Sequence, residues 1–226
     1  MKFYIVLTFA FMLMLMQAKA QHFRAGLMGG FSITDVDGAD LTDNDNDFHK
    51  FGFTLGGLVN NKISPSTALQ MELAYIQKGS LQGPDSSHTN NYYIMAFDYV
   101  DASLLLKHTT KIKIGKIAPD KISLEAGLTL GRAVRTSYTF QSINYSVDMN
   151  KTDVSALVGI NFKIVSNLFV DLRYSNSIVH AIKHNSSNVN FYPYATFQRG
   201  NNLVFQLTLG YIFDNSTKVA EQPVAK

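Results

Sequence analysis

The feature that most constrains this chain is a strict two-residue alternation of apolar and polar side chains, repeated in eight separate segments after residue 21. Side chains on a strand point alternately to opposite faces, so this period specifies two-faced β-structure and excludes amphipathic helix. Leu27, Gly29, Phe31 and Ile33 alternate with Met28, Gly30 and Ser32. Leu124, Ala126, Leu128 and Leu130 alternate with Glu125, Gly127 and Thr129. Leu168, Val170, Leu172 and Tyr174 alternate with Phe169, Asp171, Arg173 and Ser175. One register is almost wholly aliphatic or aromatic; the other mixes Gly, Ser, Thr, Asn and Gln with charges. Segments of about 9–12 residues cross a bilayer when tilted. The expected fold is all-β, an eight-stranded antiparallel up-and-down transmembrane barrel.

Connections alternate in size. Asn60–Ser66 and Val165–Asn167 are short, and His108–Lys121 is intermediate. Thr34–Asp47, Gly79–Tyr92, Arg132–Thr152 and Asn176–Asn201 are long and polar. Short turns on one rim and long loops on the other are the pattern of an outer-membrane barrel. The long loops are expected to face outward and the turn at Pro65 the periplasm. Composition agrees: 46% of residues are hydrophobic and only 16% charged, against ~25% charged in an average soluble domain.

The first twenty residues read as a secretory signal. Lys2 precedes the uncharged apolar run Phe3–Met16, and Ala18-Lys19-Ala20 supplies the small-residue cleavage pattern before Gln21. That run would give a helix of about 21 Å, short of the ~30 Å hydrocarbon core. The expected organisation is a signal peptide over 1–20, a barrel over 21–213 and a flexible tail over 214–226. Loss of Lys2 and Lys19 lowers the formal charge from +3 to +1. With no basic stripe, nucleic-acid binding is not expected. Absence of cysteine excludes disulfides, thiolate metal sites and a Cys nucleophile.

Which register faces inward separates a membrane barrel from a soluble lipocalin-like binder, whose apolar face lines a ligand cavity. Gly26 and Gly30, Gly52 and Gly56, and Gly127 and Gly131 all share the polar register. Small inward residues let a narrow barrel curl. Inverting it would expose Glu72, Asp101, Glu125, Asp171 and Arg173 to lipid, where a midplane Arg or Lys costs ~2–4 kcal/mol. The polar register is therefore expected inside. Phe31, Phe48, Tyr93, Tyr138 and Tyr192, with Phe23 and Phe213 at the other end, are expected to form aromatic girdles.

The segment Glu72-Leu-Ala-Tyr75-Ile-Gln-Lys78-Gly79 resembles the E-x-x-Y-x-x-K-G strand of the PorT-like outer-membrane β-barrel proteins. Gly26-Leu-Met-Gly-Gly-Phe-Ser32 is similar to their Gly-rich first strand. Tyr99-Val-Asp-Ala-Ser-Leu-Leu-Leu-Lys107 is similar to their fourth strand, with Ser103 where Pro is common. Gly210-Tyr-Ile-Phe213 resembles their closing aromatic strand, although this chain continues beyond it. The resemblance implies a small integral barrel of a Gram-negative outer membrane, in a family most of whose members have no assigned biochemical activity. One branch of the family is linked to secretion and gliding.

Candidate chemistry is sparse. An interior ionic cluster of Glu72, Asp101, Glu125, Asp171 and Arg173 is expected near mid-height, with Arg173 serving two carboxylates. Lys78, Lys107 and Lys163 are expected toward the rims. Asp43, Asp45 and Asp47 alternate like calcium-loop ligands but lack the EF-hand Gly and terminal Glu; a solvated acidic loop is the simpler reading. His88, His180 and His184 accompany loop serines without a triad spacing. The functional expectation is a barrel with a structural, adhesive or accessory role, secretion-related in one version. It has no open pore, no enzymatic activity and no cofactor. The alternatives are a barrel enzyme acting on lipid and the soluble binder. Expected partners are outer-membrane lipid, lipopolysaccharide and the barrel-assembly machinery.

Overall fold

A computed structural model describes residues 23–37, 50–82, 93–111, 118–140, 142–145, 150–181 and 200–213. These form β1 (Phe23–Asp37), β2 (Lys50–Lys62), β3 (Thr67–Gln82), β4 (Tyr93–Thr109), β5 (Ile122–Phe140), the short β6 (Ile143–Tyr145), β7 (Thr152–Lys163), β8 (Leu168–Ser177) and β9 (Asn201–Ile212). Every pairing is antiparallel. The eight long strands run β4-β3-β2-β1-β9-β8-β7-β5, and pairing of β4 with β5 closes the ring. β6 only doubles back on the end of β5. Closure leaves no edge within the ring, as a lipid environment requires.

The alternation resolves into an inside and an outside. β9 alternates buried and exposed positions along most of its length. Leu27, Leu55, Leu73, Leu128, Leu172 and Leu207 point outward and exposed, while Thr34, Gln70, Asp171, Arg173 and Thr208 are buried. The apolar register thus faces lipid, the reverse of a ligand-binding lipocalin-like barrel. Among the described residues no helix is long and apolar enough to cross a membrane.

Inward glycines sit where strands crowd. A Cβ at Gly30 would run into the Leu207 carbonyl oxygen on β9. At Gly52 it would lie 2.5 Å from the Gln77 carbonyl oxygen and 2.8 Å from Ser32 Oγ. The sheet bends so sharply there that Ser32 on β1 donates a 3.1 Å hydrogen bond past β2 to Gln77 O on β3.

Two expectations need correcting. Residues 132–152 are not all loop: β5 continues to Phe140 and β6 follows. The β5 ladder outlasts its hydrophobic alternation, because apolar patterning stops where a strand leaves lipid while backbone pairing need not. Tyr138 is not a girdle residue; it is only 4% exposed and points inward. The cause is a bulge. The register jumps from Asp98↔Arg135 to Tyr99↔Ala133, leaving Val134 extra. One extra residue flips every later side chain to the other face. Lys78 and Lys107 are buried, and Lys107 also lines the short-turn end of the lumen. Phe31, Phe23 and Phe213 do face outward; Phe48 and Tyr192 lie outside the described residues, as do the proposed signal peptide and tail.

Candidate functional site: the charged interior

The inward residues of β3, β4, β5, β7 and β8 assemble two ionic clusters. In the lower one Arg173 on β8 is the hub. Its Nη1 and Nη2 donate to Glu72 Oε2 and Oε1 at 2.7 and 2.8 Å. Its Nε donates to Glu125 Oε1 at 2.6 Å, and Nη2 also reaches Asp171 Oδ2 at 3.0 Å. β3 and β8 are four positions apart in the ring of eight, so the bidentate pair with Glu72 joins opposite walls. The planar guanidinium fork suits this task in a way a lysine cannot match.

Lys107 joins the same cluster, with Nζ 3.1 Å from Glu125 Oε2 and 3.4 Å from Asp171 Oδ1. Its ammonium also lies 4.8 Å from the centroid of the Phe169 ring. Asn161 donates to Asp171 Oδ1 at 2.6 Å, and Gln70 donates to Glu72.

The register explains how these groups meet. Lys107, Glu125, Gly159 and Arg173 form one row across β4, β5, β7 and β8. Gly159 has no side chain to intervene: a Cβ there would sit 2.7 Å from Glu125 Oε1 and 2.9 Å from Arg173 Cγ. The upper cluster repeats the device, with Gly131 between Asp101 and Asp153. Lys78 reaches over from β3, with Nζ 2.9 Å from Asp101 Oδ2 and 2.7 Å from Asp153 Oδ2. It also stacks 4.8 Å from the Tyr99 ring centroid. Asp153 accepts further hydrogen bonds from Ser155 and Ser177.

Glu72, Glu125, Asp171 and Arg173 are therefore in mutual reach, whereas Asp101 belongs to the separate Lys78 cluster. Arg173 serves three carboxylates rather than two. Asp153 escaped the sequence reading, although its position two residues before Ser155 puts it on the inward parity. The Glu and Lys of Glu72-Leu-Ala-Tyr75-Ile-Gln-Lys78-Gly79 each anchor one cluster. Tyr75 is instead tilted against Phe53 with ring centroids 5.4 Å apart. Lys163 lies at the rim, half-exposed, 3.5 Å from Asp120.

Between the clusters remains a cavity of about 20 Å³ bordered by Glu72, Lys78, Asp101 and Arg173. That is room for about one water. Among the described residues no group of three His, Asp or Glu is arranged to hold a metal ion. Asp43, Asp45 and Asp47 lie outside the described residues, as do His88 and His184; His180 Nδ1 is 2.7 Å from Asn201 Oδ1.

A family model described as outer membrane protein beta-barrel domain matches residues 17–183. The chain belongs to this family. With the apolar band outward, family membership makes it an integral outer-membrane protein of a Gram-negative bacterium. No curated protein matches the sequence. Among solved structures the chain is similar to Ail, the attachment invasion locus protein of Yersinia pestis, at 14% identity. That match covers 85% of this chain and 99% of Ail, with a TM-score of 0.48. It is similar to Neisserial surface protein A at 11% identity, covering 84% of this chain and 97% of that one, with a TM-score of 0.46. OprG from Pseudomonas aeruginosa is 12% identical, covering 84% and 95%, with a TM-score of 0.40.

Proposed function

We propose that the protein is a closed, non-conducting outer-membrane scaffold with a structural or adhesive role exercised through its outer loops. The observation that carries this reading is the bidentate Arg173–Glu72 pair joining opposite walls of the lumen. An eight-stranded barrel is just wide enough to be filled by its own side chains. Here the filling is ionic and hydrogen-bonded, and the space left between the two clusters is about 20 Å³. A hydrated ion or a sugar needs far more room. The charged residues are therefore read as filling and cross-bracing rather than as catalytic groups or a transport path.

The resemblance to PorT-like barrels leaves a secretion-related accessory role as the second version of this reading. Liposome swelling tests the closed lumen: proteoliposomes of the refolded chain should take up arabinose no faster than protein-free liposomes. Porin-like swelling would sink the proposal. Cells carrying the intact chain, compared with a deletion strain for surface attachment and for secreted protein, separate the adhesive role from the secretory one.

A further inference from the structure

The end of the barrel that carries the short turns opens into a cavity of about 330 Å³, within the size range of small-ligand pockets. Its lining is cationic. Two turns of the same build stand on opposite sides of the ring, at β2–β3 and β7–β8. In one, Ile63 and Ser64 donate backbone hydrogen bonds to Thr67 O at 2.9 and 3.0 Å; in the other, Ile164 and Val165 donate to Leu168 O at 2.9 and 3.2 Å.

Each turn is preceded by the same inward pair, Asn60 with Lys62 and Asn161 with Lys163. The asparagines tie the mouth to the interior, Asn60 donating to Gln70 Oε1 at 3.1 Å and Asn161 to Asp171. The lysines line the cavity. Arg24, on the inward parity of β1 and half-buried, lines it between them.

The charges do not balance. Asp120 is the one carboxylate among the described lining residues, and it is already 3.5 Å from Lys163 in an exposed pair. Lys107 on the floor is committed to Glu125 and Asp171. Arg24 and Lys62 have no carboxylate within ion-pair distance among the described residues. Unpaired cations converging on a concave, low-dielectric wall focus a positive potential into the cavity. Serine hydroxyls of the two turns, Ser64, Ser66 and Ser166, add neutral donors.

We propose that this cavity is a binding site for a phosphate group, with Arg24 and Lys62 as its principal ligands and Lys163 as a third. Arginine offers the fork that matches phosphate oxygens, and lysine the mobile point charge. The phosphate belongs either to a phospholipid headgroup of the adjoining leaflet or to a soluble phosphate ester. The site does not depend on whether the lumen conducts.

The test uses the full chain, isotope-labelled and refolded in micelles of dodecyl maltoside, a detergent without phosphate, titrated with inorganic phosphate. Backbone resonances of Arg24, Lys62, Ser64 and Ser166 should shift saturably, and less at high salt. In the Arg24→Gln/Lys62→Gln double variant the apparent affinity should fall at least about tenfold, as loss of charge-assisted hydrogen bonds requires. Lys50→Gln, at the opposite end of β2, should bind as the parent does. A second preparation with phosphatidylglycerol distinguishes the sources. Shifts at these residues before any phosphate is added assign the group to lipid; shifts on titration alone assign it to a soluble ester. The proposal is overturned if neither preparation shifts these resonances, or if a double variant that retains heat-modifiable migration binds like the parent.

Discussion

Arg173 reaches Glu125 across Gly159, so one arm of the Arg173 network depends on a residue that contributes no side chain. Gly159→Ala should force both partners apart and cost about 1–3 kcal/mol, the usual range for overpacking a filled interior. Gly57→Ala is the control. There an added Cβ meets nothing closer than the Gly26 carbonyl oxygen at 3.8 Å, and the change should be within ~1 kcal/mol of neutral. Urea unfolding in detergent micelles, followed by tryptic digestion or gel migration, measures both.

Arg173→Met should destabilise the barrel by about 3–5 kcal/mol, because it strands Glu72 without its cation and leaves Glu125 and Asp171 to Lys107 alone. Much of that loss should return when Glu72 is neutralised as well. A double-mutant cycle of Arg173→Met with Glu72→Gln should therefore give a coupling of about 0.5–3 kcal/mol. Strict additivity would show that the pair contributes little beyond its separate members.

The alternating segments foretold a closed barrel because lipid outside and polar filling inside impose opposite demands on adjacent residues. Parity also placed Glu72, Glu125, Asp171 and Arg173 on one surface. One thing resisted the same reasoning. The Val134 bulge leaves no hydrophobic trace, since β5 beyond Arg132 has lost its apolar alternation, and the flip of Tyr138 follows from the bulge alone. Lys107 meets Glu125 as its direct cross-strand partner, while the four-carbon stem of Lys78 carries its ammonium along the barrel to Asp101 and Asp153.

Lipid exposure sets a gradient along β5. Leu128 is 58% exposed on the apolar register, and Leu128→Arg should cost about 2–4 kcal/mol in a bilayer. Ser137, exposed beyond the bulge, should accept arginine with little change. Refolding yield and urea midpoint in phosphatidylcholine vesicles read both. Equal penalties at the two positions would place the outer end of β5 within the membrane.

Orientation is open to a clean labelling experiment because the chain has no cysteine. Ser137→Cys should react with a membrane-impermeant maleimide on intact cells. Pro65→Cys, in the short β2–β3 turn, should react only after the outer membrane is opened. The reverse pattern would turn the barrel upside down and put the cationic mouth at the cell surface.

Planar-bilayer recording of the purified full-length barrel tests the central claim most directly, that the Arg173 network fills the lumen. The parent protein should give no steady conductance. Arg173→Ala, shown by heat-modifiable migration to remain folded, should at most admit brief, small openings. Stable, ion-selective channels in the parent protein, altered in selectivity but not in folding by Arg173→Ala, would show that these charges line a conduction path, and would contradict the account.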